Sequence, residues 1–122
     1  MVNSVVIICE DAPFGKNSVV ESIRMAAGIL AVGDIDECKV ILLKDAVYFF
    51  NKNLNPDALN MDNFTNIFRL IELSELEIFL HDKALKAAGI EPTDLFLEKH
   101  LKIIGTKQIS QLILNADMSF KY

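Results

Sequence analysis

The sequence has no tryptophan, only two cysteines, three prolines and five glycines among its 122 residues, and it has no long apolar run. Two cysteines, Cys9 and Cys38, are too few for a disulfide framework, so we expect a reducing, cytoplasmic environment. No apolar run approaches the roughly 18 residues that a membrane-spanning helix requires. The first apolar run has no basic region before it and acidic residues after it, which predicts a buried strand rather than a signal peptide.

Basic residues are also sparse and scattered. The twelve Lys and Arg residues form no cluster and leave a net charge of -5, whereas a nucleic-acid-binding protein needs a basic stripe to neutralise phosphates. We therefore expect no direct contact with nucleic acid. Apolar residues make up 52% of the chain and charged residues 24%, which is typical of a globular protein. No linker or repeat divides 1–122, which predicts one domain.

Apolar runs alternate with segments of helical spacing along the whole chain. The runs SVVIIC (4–9) and CKVILL (38–43) are typical of strands buried on both faces. The same patterns predict further strands at 76–80, 101–105 and 118–122, and helices at 18–32, 62–72, 82–88 and 106–116. This alternation predicts a three-layer α/β fold, in which a mostly parallel five-stranded sheet of flavodoxin-like topology has helices on both faces.

Three loops are expected at the carboxyl edge of such a sheet, where these folds bind ligands: 10–17, 44–57 and 81–83. The first loop contains APFGKNS, which resembles a phosphate-binding loop only in part. A Walker A motif needs glycine at position 10 and Ser or Thr at position 17, and the chain has Glu10 and Asn17 there. The backbone amides of Asn17 and Ser18, which open the next helix, remain candidates for weak anion binding.

Few residues have the chemistry of metal ligands or nucleophiles. Cys9, Cys38, His81 and His100 have no paired spacing of the kind that structural zinc sites show, so we predict no metal site and no cofactor. A nucleophilic Cys–His pair requires Cys9, at the end of the first strand, to meet His81, at the end of the third. The alternative is that Cys9 is a buried, unreactive strand residue.

Aromatic residues are concentrated in one part of the chain. Tyr48, Phe49 and Phe50 are consecutive, and Phe64 and Phe68 follow them. A single turn is not expected to bury three consecutive aromatic side chains in one core, so we predict that part of this group faces a partner subunit.

The order and spacing of four segments resemble a known family. These segments are APFGKNSVVESIRMAAGIL, VILLKDAVYFFNKNLNPDAL, FRLIELSELEIFLHDKALKAAGIEP and LILNADMSFKY. Together they are similar to the DsrE/DsrF-like proteins, and within them to the DsrF/TusC branch of the sulfur-relay complexes. The resemblance covers nearly the whole chain. It implies a small three-layer α/β fold, a cytoplasmic location, and either a homo-oligomer (a trimer or hexamer) or a complex with DsrE/TusD-like and DsrH/TusB-like subunits.

The resemblance also implies where sulfur would be carried. Active members carry it as a persulfide on a cysteine at the head of the helix that follows the third strand. The matching position in this chain holds His81. A persulfide carrier needs a thiolate, and an imidazole cannot hold a transferable sulfur atom. The chain is therefore interpreted as a structural or partner subunit of a sulfur relay, with a cap of the following helix as the simplest role for His81.

Two alternatives remain open at this point. One is a divergent sulfurtransferase that uses Cys9 as nucleophile and His81 as base. The other is an oligomeric module that binds a small anion through Asn17, Ser18, His81 and Asp82.

Overall fold

The structure, a computed structural model, describes residues 2–13, 17–52, 65–96 and 98–122. All five of its strands lie in one sheet, and every pair of neighbouring strands is parallel. They are β1 (Ser4–Cys9), β2 (Glu37–Leu42), β3 (Glu77–His81), β4 (Leu101–Ile104) and β5 (Met118–Lys121), in the spatial order β4-β3-β2-β1-β5.

Helices connect successive strands. They are α1 (Ser18–Val32), the long 3-10 helix (Lys44–Phe50), α2 (Thr65–Ser74), α3 (Asp82–Ala88) and α4 (Thr106–Asn115). The predicted helices at 18–32 and 82–88 are confirmed to the residue. Both end at a glycine in the left-handed region, Gly33 (φ 86°) after α1 and Gly89 (φ 72°) after α3. The start of the helix predicted at 62–72, including Phe64, lies outside the described residues, as do 14–16 and 53–57 of the predicted loops.

The predicted three-layer α/β class is confirmed, and the sheet is parallel throughout. The flavodoxin-like topology is corrected in one respect, because the flavodoxin order is 2-1-3-4-5. Here the first three crossovers all place the next strand on the same side of β1, and only the last crossover returns to the other side of β1. Since such crossovers are right-handed, the reversal of direction moves the last helix to the opposite face of the sheet.

The two faces of the sheet carry separate cores. The first face, called the α1 face, packs against α1, the long 3-10 helix, α2 and α3 through strand residues such as Ile7, Leu42 and Leu80. The second face, called the α4 face, packs against α4 alone among the described helices, through Val6, Ile41 and Phe79. Alternate strand residues point to opposite faces, so each strand contributes to both cores.

Two residues of the aromatic group, Phe49 and Phe50, belong to the α1-face core. Phe49 and Phe50 are 1% and 0% exposed, so the prediction that they face a partner is wrong; Tyr48 is half-buried. The ring of Phe50 stacks on Phe68 at 5.9 Å, and Phe68 lies 5.3 Å from Phe96. Consecutive side chains of a 3-10 helix point about 120° apart. Phe49 and Phe50 nevertheless contact each other edge-on at 5.0 Å, and both contact Phe68, so one cluster buries both rings.

Among the residues that the structure describes, no helix is long and apolar enough to cross a membrane.

The aromatic cluster gives a stability test. We expect Phe50→Ala to lower the free energy of unfolding by about 3–5 kcal/mol, because it removes a fully buried ring that packs on two others. Phe96→Ala is the matched control at the rim of the same cluster, where the side chain is 36% exposed, and it should lower that free energy much less. Urea denaturation followed by circular dichroism measures both. Equal losses in the two variants would contradict this account of the core.

Candidate functional site

The helices that follow the neighbouring strands β3 and β4 cover opposite faces of the sheet. After β3 the chain enters α3, whose Leu85 is buried in the α1-face core; after β4 it enters α4, whose Ile109 is buried in the α4-face core. The chain therefore leaves the carboxyl ends of these strands toward opposite faces. In open parallel sheets such a switch point forms the crevice in which ligands bind.

His81 lies at this switch point as the last residue of β3, paired in register with Ile104 of β4. Phe79, two residues earlier, packs on the α4 face, so the imidazole also points to that face. Its Nε2 atom shares a hydrogen bond of 2.8 Å with Oγ1 of Thr106, the first residue of α4. This contact ties the end of β3 to the start of α4, and it leaves the side chain of His81 20% exposed.

Asp82 takes the capping role that the sequence suggested for His81. Its Oδ1 accepts a hydrogen bond of 2.6 Å from the Lys83 amide, in the first turn of α3. Asp82 Oδ1 also lies 3.8 Å from the Nε2 of His81. His81 occupies the N-cap position of α3, but its ring makes no capping hydrogen bond. The predicted cap is corrected accordingly, because the ring points to the α4 face and is held by Thr106.

Both cysteines of the chain are inside the protein. Cys9 is 0% exposed and Cys38 is 3% exposed. Burial raises the pKa of the Cys9 thiol, although a hydrogen bond from the Asp11 backbone acts in the lowering direction. Burial alone raises the pKa of Cys38 to about 11. Both thiols therefore stay protonated at neutral pH and are inaccessible to solvent. This agrees with the alternative that Cys9 is a buried, unreactive strand residue.

The proposed Cys9–His81 pair does not form. Cys9 is part of the α1-face core, whereas the His81 ring lies on the α4 face. The sheet itself separates the two side chains, and β2 lies between their strands, which places the strands about 10 Å apart. A base at His81 therefore has no route to the Cys9 thiol, which removes the geometric basis for the sulfurtransferase alternative.

The four residues suggested for anion binding fall into two separate groups. Asn17 and Ser18 lie at the start of α1, after β1, whereas His81 and Asp82 follow β3. Ser18 Oγ donates a hydrogen bond of 3.2 Å to the carboxylate of Asp11. Each group thus already contains a carboxylate, Asp11 beside Ser18 and Asp82 beside His81, and these negative charges oppose the binding of an anion.

Two features of this edge were not found from the sequence. One is Thr106, which holds His81. The carboxyl ends of neighbouring parallel strands meet at one edge of the sheet, so Thr106 could have been predicted only if β3 and β4 were known to be neighbours. The other is an ion cluster in which the Glu10 carboxylate binds Lys44 Nζ at 2.6 Å and Lys121 Nζ at 2.7 Å. Hydrogen bonds from Lys121 and Lys44 hold the pKa of Glu10 below its usual range.

The part of the chain that the structure describes contains no group of three or more His, Cys, Asp or Glu residues placed to hold a metal ion.

Comparison with known proteins agrees with this geometry. Two solved structures superpose on almost the whole chain. The YchN protein from E. coli shares 21% sequence identity, with a TM-score of 0.78 over 98% of this chain and 99% of that one. A protein of unknown function from Methanobacterium thermoautotrophicum shares 12% identity, with a TM-score of 0.68 over the same fractions. These identities establish a shared fold. Among curated protein sequences, none matches the chain significantly.

The model of one protein family matches residues 3–121, nearly the full length of the chain, and its description is the DsrE/DsrF-like family. The strand order, the helix that follows β3 and the position of His81 are all within this match. The chain is a member of the DsrE/DsrF-like family.

Proposed function

We propose that this protein is a subunit of a cytoplasmic sulfur-relay assembly, of the DsrF/TusC type, that supports sulfur transfer without carrying sulfur itself. One observation carries the proposal: the switch point presents the imidazole of His81, while both thiols of the chain are buried. The family membership supplies the context of sulfur relay.

The chemistry of sulfur transfer explains why this observation matters. A carrier thiolate attacks the outer sulfur of a donor persulfide, a new sulfur–sulfur bond forms, and the donor leaves as its thiolate. The acceptor must therefore be deprotonated and accessible. Cys9 and Cys38 meet neither condition, because each has a raised pKa and almost no exposed surface.

His81 can serve the assembly in another way. Its ring is fixed by Thr106 and is still partly exposed, so it presents a defined hydrogen-bonding group at the crevice. A partner subunit of the DsrE/TusD type or the DsrH/TusB type would supply the reactive cysteine. In this proposal the present chain shapes the crevice and positions the partner, and the sulfur stays on the partner.

The inertness of the native thiols can be measured directly. We expect the folded protein to keep its mass after incubation with polysulfide and also after treatment with iodoacetamide at pH 7–8, because the raised pKa values and burial suppress the thiolates. Intact-mass spectrometry is the readout. The same reagents applied in denaturant should modify both cysteines, which controls for reagent activity. A sulfur atom added to Cys9 in the folded protein would refute the non-carrier role.

Restoring a thiol at the switch point tests the position itself. We expect His81→Cys to take up one sulfur atom per chain from polysulfide, whereas His81→Ser and the wild type take up none. Lys86→Cys places a fully accessible thiol on the same helix and is the matched control. On addition of glutathione, the sulfur on residue 81 should persist several-fold longer than that on residue 86, since the site of His81 is only 20% exposed. Equal loss from both would show that the crevice gives no protection.

A further inference from the structure

The end of the chain is attached to the sheet by few buried apolar side chains. The C-terminal strap, defined as residues 106–122, comprises α4 and β5. Among these residues, all of which the structure describes, only Ile109 is buried, whereas α1 buries six residues. Every residue of β5 is exposed, and the strand lies at the edge of the sheet beside β1. Because burial of apolar surface is the main force that stabilises an element, packing holds the strap only weakly.

Polar contacts hold both ends of β5 on β1. Before the strand, the Asp117 carboxylate accepts hydrogen bonds from the amides of Asn3 at 2.8 Å and Ser4 at 3.1 Å. At the end of the strand, Lys121 Nζ lies 2.7 Å from the Glu10 carboxylate. The amide hydrogen bonds lower the pKa of Asp117, and the Lys121 hydrogen bond is the largest of the causes that lower the pKa of Glu10. Both carboxyls are therefore ionised at neutral pH, and both contacts are charge-assisted.

The other end of the strap is held at the switch point. Oγ1 of Thr106 lies 2.8 Å from Nε2 of His81, as described above. Gly105 is the residue between β4 and α4, and β4 itself stays in the sheet through its pairing with β3. Glycine has the widest range of backbone conformations, so a hinge at Gly105 costs little. A rotation there separates Thr106 from His81.

We propose that the C-terminal strap opens as one unit about Gly105 while the rest of the protein stays folded, and that this opening frees the imidazole of His81. The segment 116–117 is the whole connection between α4 and β5, so the two elements move together. Contiguous units of this kind open with free energies below that of global unfolding. Opening uncovers the α4-face core and thereby controls access to the switch point from that face.

The contacts at the two ends of the strap then depend on one another. Loosening β5 raises the fraction of open protein, and that fraction sets how often His81 is released. This coupling acts across the sheet, since β1 and β2 lie between β5 and β3. The inference rests on the attachments of the strap and not on the proposed function, so each can fail without the other.

Hydrogen–deuterium exchange with mass spectrometry tests whether the strap opens as a unit. In the wild type at neutral pH, amides of α4 and β5 should exchange at least about tenfold faster, relative to their intrinsic rates, than those of β2 and β3. Asp117→Ala and Thr106→Val each remove one attachment, at opposite ends. Each should speed exchange across the whole strap by about three- to tenfold. Glu77→Gln is the matched control and should leave this exchange unchanged, since its 2.8 Å ion pair with Lys102 lies outside the strap.

Chemical modification of His81 tests the coupling. Diethyl pyrocarbonate acylates imidazole nitrogens, and His100, which precedes β4, is the internal reference. Asp117→Ala should raise the modification rate of His81 relative to His100 by about threefold or more, because opening breaks the contact of Nε2 with Thr106. Circular dichroism checks that each variant is folded. Three results would each overturn the proposal: wild-type exchange in the strap no faster than in β2 and β3, faster β5 exchange in Asp117→Ala without faster modification of His81, or an equal effect of Glu77→Gln.

Discussion

The architecture depends on one constraint: the last crossover runs across the sheet in the direction opposite to the first three, while every crossover stays right-handed. From β4 to β5 the chain passes over four inter-strand spacings, about 19 Å, and only α4 and its flanking residues make this passage. The reversal puts α4 on the opposite face of the sheet from the other described helices. It also brings the start of α4 against the end of β3, which creates the switch point at His81 and the contact between His81 and Thr106. The switch point and the sparsely covered face have the same topological origin.

The chemistry of the crevice follows from which face of the sheet each side chain occupies. Cys9 and His81 both lie at the carboxyl edge, yet the thiol is in the α1-face core and the imidazole is on the α4 face. Burial stabilises the fold by removing apolar surface from water, and the same burial keeps the thiols protonated. The chain therefore presents an imidazole at this edge of the sheet, while its thiols lie inside the core.

Local patterns predicted the elements well, because the strand runs and the helix-ending Gly89 are encoded within a few neighbouring residues. The spatial order of the strands was not predictable in the same way, since the right-handed rule fixes the side of a crossover but not its direction along the sheet. The role of Thr106 depends on that order and was missed for the same reason. The burial of Phe49 and Phe50 was misjudged because Phe68 of α2 packs on both rings, and the local sequence gives no sign of this contact.

The pairing of β5 with β1 has a consequence for synthesis on the ribosome. The two strands are separated by more than a hundred residues of sequence, and the segment between them includes every other strand. Until α4 and β5 have been made, the emerging polypeptide exposes Val6, Ile41 and Phe79 with no helix to cover them, although the opposite layer can already assemble. This interval is when the nascent protein is most open to aggregation and to capture by chaperones.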